Sequence, residues 1–335
     1  MDKIWDSIFH GESQRLDSWL AGQLPQLSRA KIQKLIGRHK ILVNGRLAKA
    51  SLKVQTGDRI HVEIENEAPS PRLLPYPMSL DILYEDSELL VLNKAAGITV
   101  HPGAGTSAPT LVEGVLHWLG KKDGGEHLRP GIVHRLDKDT TGLMVYAKNE
   151  RTQFNLAKQF AAKQIPREYL ALLDGYLEQP KLEYESYLFR DHQNRQRFAS
   201  ITKDTYLVRF GHPPQGGYRW AKSIFTKECS YLSRLSLAKI QLLTGRTHQI
   251  RVHSKALQCP VLGDPLYNQP HELPKAFPLA VRQSIASLKR QMLHARKLGF
   301  LHPLSGKELS FEAPPPQDFQ ELIDLLAPFK DEKEG

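Results

Sequence analysis

The stretch HRLDKDTTG, residues 134–142, sets Arg135, Lys138, Asp137, Asp139, Thr140 and Thr141 between two apolar segments, GIV at 131–133 and LMVYA at 143–147. Short apolar runs bounded by polar turn residues read as buried strands. Polarity concentrated where two strands meet marks a place at which a sheet presents side chains to a cleft. A second cluster of the same kind, TGRTHQIRVH at 244–253, follows the strand-like LSLAKIQLL. It reads as a strand-turn-helix junction, with Thr247 as the cap and Gly245 permitting the sharp turn. Asp137 and Arg246 are the informative pair across the two clusters. In a cleft that excludes water, a carboxylate neutralises unless a guanidinium holds it charged and aimed. A charged, aimed carboxylate can attack or stabilise an electrophilic sugar or base. Taken singly, His134, Arg135, Asp137 and Asp139 are more often salt-bridging residues of a turn.

Around these clusters, short β-type runs alternate with helices. LDILYED (80–86), ELLVLNK (88–94) and REYLALLDG (167–175) read as strands, and TLVEGVLHWL (110–119) opens with the capping box Thr110-x-x-Glu113. A helix is expected from about Arg151 to Lys163, burying Phe154, Ala157, Phe160 and Ala161. The order lacks the regular β-α repeat of a doubly wound fold, so the class is α+β with a mixed sheet. RFGHPPQGGYRW at 209–220 reads as a loop extension between strands. Neither a Walker loop nor a GxGxxG after a strand is present, so no nucleotide cofactor is indicated. Among His134, His248, His253 and His294, the spacing of His248 and His253 puts their rings about 140° apart on a helix, and no acidic residue completes a set. No metal is expected.

The N-terminal region carries organised charge. In SRAKIQKLIGRHK (28–40), Ile32, Leu35 and Ile36 share one helical face and Lys31, Lys34 and Arg38 another, with Ser28 placed to cap. Asn44-Gly45 is a strong hairpin signal, and GDRIHVEIE (57–65) alternates as a half-buried strand. Residues 12–66 hold ten Lys and Arg against five Asp and Glu, a stripe whose natural counterpart is phosphate. APSPRLLPYP (68–77) reads as a stiff linker, placed at 67–79. The net charge of +10 favours an acidic partner. MDKIWDSIFHGES has no continuous apolar core of a secretory signal, and no apolar run approaches a membrane span. The two cysteines, Cys229 and Cys259, have neither CxxC spacing nor nearby metal-ligand partners. A cytosolic, monomeric protein is expected, with the FKDEKEG tail at 329–335 disordered.

Two resemblances sharpen this reading. Residues 12–66, with a basic helix ahead of the VNG hairpin and the closing GDRIHV strand, resemble the S4 RNA-binding domain. HRLDKDTTGLMVYAKN looks like the HRLD signature of the RluA-type family of rRNA pseudouridine synthases. NKAAGITVHPG (93–103), LLTGRTHQIRVH (242–253) and LHARKLGFLHPLSG (293–306) agree with that family in order. Together with the N-terminal domain, the match is nearest to the RluD-like branch. The resemblance implies a pseudouridine synthase fold over 80–328, with a curved, largely antiparallel mixed sheet, flanking helices and a basic cleft. It implies isomerisation of uridine in RNA, most naturally large-subunit rRNA, without a cofactor. A tRNA substrate and an idle ribosome-assembly factor are the alternatives. By the same resemblance Asp137 is the reacting carboxylate, as nucleophile or as base, Arg246 its ion-pair partner, and Tyr169 the ring that stacks on uracil and could assist removal of the C5 proton. Arg135 fills the gap left by a flipped base or grips the backbone, Leu293 walls the base, and His134 and Thr141 are further substrate contacts. Ala95 departs from the family's usual proline.

Overall fold

The computed structural model describes residues 3–25, 27, 29–64, 73–103, 108–122, 124, 130–214, 216–269 and 273–332. The chain divides into two compact units, Met1–Pro71 and Arg72–Gly335. Of the proline-rich stretch at 67–79, residues 67–72 lie outside the described residues.

The first unit contains β1 (Lys3–Ile8), β2 (Gln14–Arg15), α1 (Leu16–Gln23), α2 (Arg29–Gly37), β3 (Ile41–Val43), β4 (Arg46–Leu47), β5 (Lys53–Val54) and β6 (Arg59–Ile64). A four-stranded sheet runs β1-β6-β3-β4, and β2 pairs with β5. Asn44 and Gly45 take φ of 51° and 73°, the doubly left-handed turn that matches strand twist in a two-residue hairpin. Ile32, Leu35 and Ile36 of α2 pack with Leu20 of α1 over Ile41, Ile60 and Val62. Lys34 and Arg38 are exposed, whereas Ser28 and the side chain of Lys31 lie outside the described residues. Strand β1, ahead of the expected start of this domain at residue 12, joins the same sheet, pairing with β6 from Lys3↔Ile64 to Ile8↔Arg59. Its signal is weak for a physical reason. Ile4 and Ile8 are exposed, and the strand packs inward mainly through Trp5, 5.9 Å from Trp19.

The second unit contains β7 (Asp81–Glu85), β8 (Leu89–Lys94), α3 (Leu111–Trp118), β9 (Thr141–Ala147), α4 (Glu150–Ala161), β10 (Arg167–Leu173), β11 (Lys181–Arg190) and β12 (Phe198–Ile201). It continues with α5 (Lys203–Phe210), β13 (Arg219–Tyr231), β14 (Leu235–Leu242), α6 (Gln249–Ala256), α7 (Leu279–Ala286), β15 (Leu293–Leu301), β16 (Glu308–Glu312) and α8 (Gln317–Leu326). Among the described residues a ten-stranded sheet runs β12-β11-β13-β14-β10-β15-β9-β8-β7, with β16 beside β15. Its ladders are antiparallel except where β9 and β15 run parallel, His294 opposite Thr141 and Ala295 opposite Gly142. Both faces of the central strands are covered. Leu90, Leu92, Met144 and Ile240 pack with Leu111 and Val115 of α3 and Ile250 of α6. On the other side Leu89, Val91 and Val145 meet Leu156 of α4, and Leu170 and Leu172 meet Val281 of α7 and Phe319 of α8. Continuous apolar runs such as LLVL are what two-sided burial requires. The capping box opens α3, with the Thr110 amide donating to Glu113 Oε2 at 2.7 Å.

Three expectations are revised. Helix α4 buries Thr152 and Leu156, while Phe154 is 64% exposed beneath the Lys158 ammonium, and Ala157 and Ala161 are exposed. The inward stripe is set by Thr152, whose hydroxyl donates to the buried Glu88 carboxylate. Residues 209–220 are the end of α5, a turn at Gly211 and the start of β13. They are anchored by Tyr218 against Tyr206 and Phe189, each 4.9 Å away. The described part of the C-terminal tail is docked, because the Asp331 amide donates to Ser230 O and its carboxylate accepts from the Ser233 amide.

Gly142 closes the HRLDKDTTG stretch for a steric reason. Its φ is 115°, and a β-carbon would stand 2.3 Å from Ala295 O and 2.5 Å from Ala295 N. Backbone that is itself paired cannot give way, so Gly142→Ala should push β9 from β15 and cost at least about 3 kcal/mol. Thermal denaturation should show Tm lowered by about 6 °C or more; a change within error would mean that the two strands can separate freely here.

Candidate active site

Because β9 and β15 run parallel, the segments that precede them reach the same edge of the sheet. Antiparallel β10 brings Tyr169 opposite Ala295, and β14 ends nearby at Leu242 before the turn into α6. These segments enclose a cavity of about 380 Å³ whose lining includes Asp137, Tyr169, Arg246, Arg251 and Leu293. That is enough space for a nucleoside-sized ligand.

The half-buried Asp137 carboxylate is held by Arg251, whose Nη1 donates to Oδ2 at 2.9 Å. Behind it, Arg251 Nε and Nη2 donate to both oxygens of Asp264 at 2.6 and 2.8 Å. Asp264 has no solvent exposure and also accepts from the amides of Leu266 and Tyr267. Burial alone would lower the pKa of Arg251, but the hydrogen bonds and charges of Asp264 and Asp137 raise it above its ordinary value. A fixed carboxylate thus orients a fixed guanidinium, and that guanidinium orients Asp137. The expected pairing of Asp137 with Arg246 is therefore corrected to Arg251. Arg246 lies in the turn before α6, lines the cavity, and donates from Nε to the Trp220 carbonyl at 3.1 Å. Among the described residues it is the helix that follows, through Arg251, that carries a guanidinium to the carboxylate.

The junction itself differs from its sequence reading. The residue before α6 is His248, left-handed at φ 56°, and the Gln249 side chain, rather than Thr247, takes the Arg246 amide at 3.0 Å. Gly245 has no positive φ. A β-carbon there would sit 2.7 Å from Arg167 Nη1, so glycine makes room for a neighbouring guanidinium and not for the turn.

Tyr169 is 6% exposed and lines the cavity. Burial, with a smaller contribution from Asp137 against that of Arg167, raises its pKa, which keeps the ring a neutral phenol. Leu293 supplies apolar wall from the first position of β15, and the exposed Arg135 stands at the rim. His134 also lines the cavity, but its Nε2 accepts from the Val145 amide at 3.0 Å and its ring stacks on Phe160. Thr141 does not line it. Its hydroxyl instead bonds His294 Nδ1 at 2.9 Å inside the protein, so its expected substrate contact is corrected; Thr140, one residue earlier, faces the cavity. The bond to His294, which stands opposite Thr141 on β15, is what turns the Thr141 hydroxyl inward.

Two further residues support the site and were missed in the sequence. Lys94, 1% exposed, donates to the carbonyls of Ala95, Ile98 and Lys138 at 2.7, 3.1 and 2.9 Å, tying the NKAAG loop to the loop of Asp137. Burial lowers its pKa to about 8. Its signal was a charge ending the apolar run LLVLN. Arg167, two residues before Tyr169, lines the same cavity. Among the described residues no three His, Cys, Asp or Glu side chains are grouped as metal ligands would be.

Burial lowers the pKa of His134 and His253 to about 3 and of His294 to about 4. Below an unfolded value near 6.5, the unfolded chain then binds protons that the folded chain refuses, so stability falls as pH drops toward those folded values. Each should contribute up to about 1.4 kcal/mol per pH unit. Denaturant unfolding should give a clearly lower stability at pH 5 than at pH 7, with a shallower loss in His253→Gln. Equal stability at the two pH values would mean that the rings are hydrated.

Comparison with known proteins gives consistent findings. A family model described as RNA pseudouridylate synthase matches residues 88–256, and one described as the S4 domain matches residues 14–60. The protein named ribosomal large subunit pseudouridine synthase D of Zymomonas mobilis is 39% identical over 318 residues, covering 93% of each chain. The protein of the same name from Escherichia coli (strain K12) is 37% identical over 327 residues, covering 96% of this chain and 93% of that one. An uncharacterized RNA pseudouridine synthase of Bacillus subtilis, YlyB, is 36% identical over 316 residues, 94% of this chain and 95% of that protein. Among solved structures, human RNA pseudouridylate synthase domain containing 4 superposes with a TM-score of 0.55 at 22% identity. The match covers 75% of this chain and 94% of that one, a likeness of fold.

Proposed function

The chain belongs to the RNA pseudouridylate synthase family, and from that premise we propose that it isomerises uridines of large-subunit ribosomal RNA, with Asp137 as the reacting carboxylate. The observation that carries this reading is the Asp137 carboxylate held at 2.9 Å by Arg251, in a cavity that also presents Tyr169 and Leu293. The ribosomal substrate is supported by the relatives named ribosomal large subunit pseudouridine synthase D, similar over nearly the whole chain.

Isomerisation breaks the N1–C1′ bond, turns the uracil, joins C5 to C1′, releases the C5 proton and leaves N1 carrying a proton in its place. The target must first leave its stack, at a cost of a few kcal/mol. Tyr169 then faces the uracil ring, Leu293 closes the apolar side, and Arg135 at the rim takes the backbone or the vacated gap. Asp137 acts on the ribose, as nucleophile at C1′ or as the base that starts elimination, with Oδ2 fixed by Arg251 at 2.9 Å and Oδ1, 4.0 Å from His248 Nε2, offered to the sugar. The S4 domain offers Lys31, Lys34 and Arg38 to phosphates. Replacing the three together should reduce the salt dependence of RNA binding by up to about three units of slope; an unchanged slope would mean that this face meets only water.

The test is tritium release from C5-labelled uridine, with large-subunit rRNA and bulk tRNA supplied separately. Release from rRNA is the expected result. Release from tRNA alone would move the substrate, and no release from RNA that is bound would favour an idle assembly factor.

A further inference from the structure

Arg167 is a buried cavity residue whose guanidinium is incompletely bonded. Its side chain projects from β10 on the same face as Tyr169, since the two are separated by one residue of a strand. Arg167 is only 9% exposed. Among the described residues its Nε has no hydrogen-bond partner, and its Nη2 reaches the Leu242 carbonyl at 3.5 Å, the limit of a hydrogen bond. The ring of Phe160 lies 5.4 Å from its Cζ, which offers a soft face but no countercharge. Arg251 in the same cavity is paired on two carboxylates, so the contrast lies within one site.

A buried guanidinium without an anion carries a large desolvation penalty, and a buried donor without a partner adds to it. Arg167 Nη1 lies against Gly245, 2.7 Å from where a β-carbon would stand. The charge count of the cavity points the same way. Arg135, Arg167, Arg246 and Arg251 line it with Asp137, and Asp264 behind Arg251 offsets one more. Two positive charges remain, and a flipped nucleotide brings two phosphodiesters, one on each side.

We infer that Arg167 is a phosphate-binding residue, receiving a backbone phosphodiester next to the target uridine in a forked hydrogen bond. This deepens the functional reading above and rests on it. Lysine would keep the charge without the fork, so Arg167→Lys should recover part of what Arg167→Gln loses.

The experiment uses the full chain and an rRNA fragment that the wild type modifies. The fragment is also made with an uncharged methylphosphonate replacing the phosphodiester 5′ or 3′ to the target. Arg167→Gln should raise KM about ten- to a hundredfold with kcat changed little, and should leave Tm unchanged or higher because no carboxylate loses a partner. One of the two methylphosphonates should raise the wild-type KM similarly and add nothing further in the variant. Multiplying penalties at both positions would overturn the inference, assigning the guanidinium to the uracil edge, and a fall in Tm with KM unchanged would make it structural. A wild type that turns over no RNA would overturn the functional reading and this inference with it.

Discussion

Asp137→Asn should turn over uridine more than about a thousandfold more slowly than the wild type while binding RNA within a few fold. The substitution is isosteric. The amide oxygen can still accept from Arg251 Nη1, so the 2.9 Å contact that positions the side chain is retained, and only the reacting charge is lost. Activity should therefore fall in kcat, with affinity and Tm close to wild type. Single-turnover tritium release beside a filter-binding measurement checks both parts. Near-normal release would remove Asp137 from the chemistry, and a large loss of affinity would make it a binding residue.

The second large effect separates two arginines. Arg251→Met leaves Asp137 and the fully buried Asp264 without their cation, and breaking a buried pair from one side costs about 3–5 kcal/mol. We expect a lowered Tm together with loss of turnover. Arg246→Met removes a residue whose Nε reaches only a backbone carbonyl, so the fold should keep its stability and the defect should lie mainly in KM. Denaturant unfolding and steady-state kinetics on both variants decide the matter. The reverse pattern, a tolerated Arg251→Met and an inactive Arg246→Met, would restore the pairing expected from sequence.

That pairing shows where sequence reading ended. Strands β8, β9, β10 and β14, the capping box of α3 and the Asn44-Gly45 hairpin are written locally, in apolar runs and turn residues, and were legible as such. The motif also located both polar clusters. What it could not supply was the start of α6. A helix beginning at Gln249 rather than after Thr247 changes which of two guanidiniums, five residues apart, is carried to Asp137. The choice of Thr140 over Thr141 as cavity lining turned on a distant partner, His294, that takes up the Thr141 hydroxyl, and the inward face of α4 on a buried Glu88 sixty-four residues before Thr152. Arg167 and Lys94 carried no signal beyond charge beside apolar sequence, because their roles depend on what surrounds them after folding.

The place of β15 in the sheet has a consequence for synthesis. It lies between β10 and β9, so a strand translated after β7 to β14 joins two half-sheets whose own strands precede it in the sequence. Until Leu293–Leu301 has left the ribosome, β9 and β10 present open edges, the kind of exposed backbone that invites mispairing. The contacts that close this seam span long separations, such as 153 residues between Thr141 and His294, and contacts so distant form slowly. A nascent chain therefore carries Asp137 and Arg251 without the wall of the site that Leu293 supplies. The site is complete only once Leu293–Leu301 has been made and seated between β10 and β9.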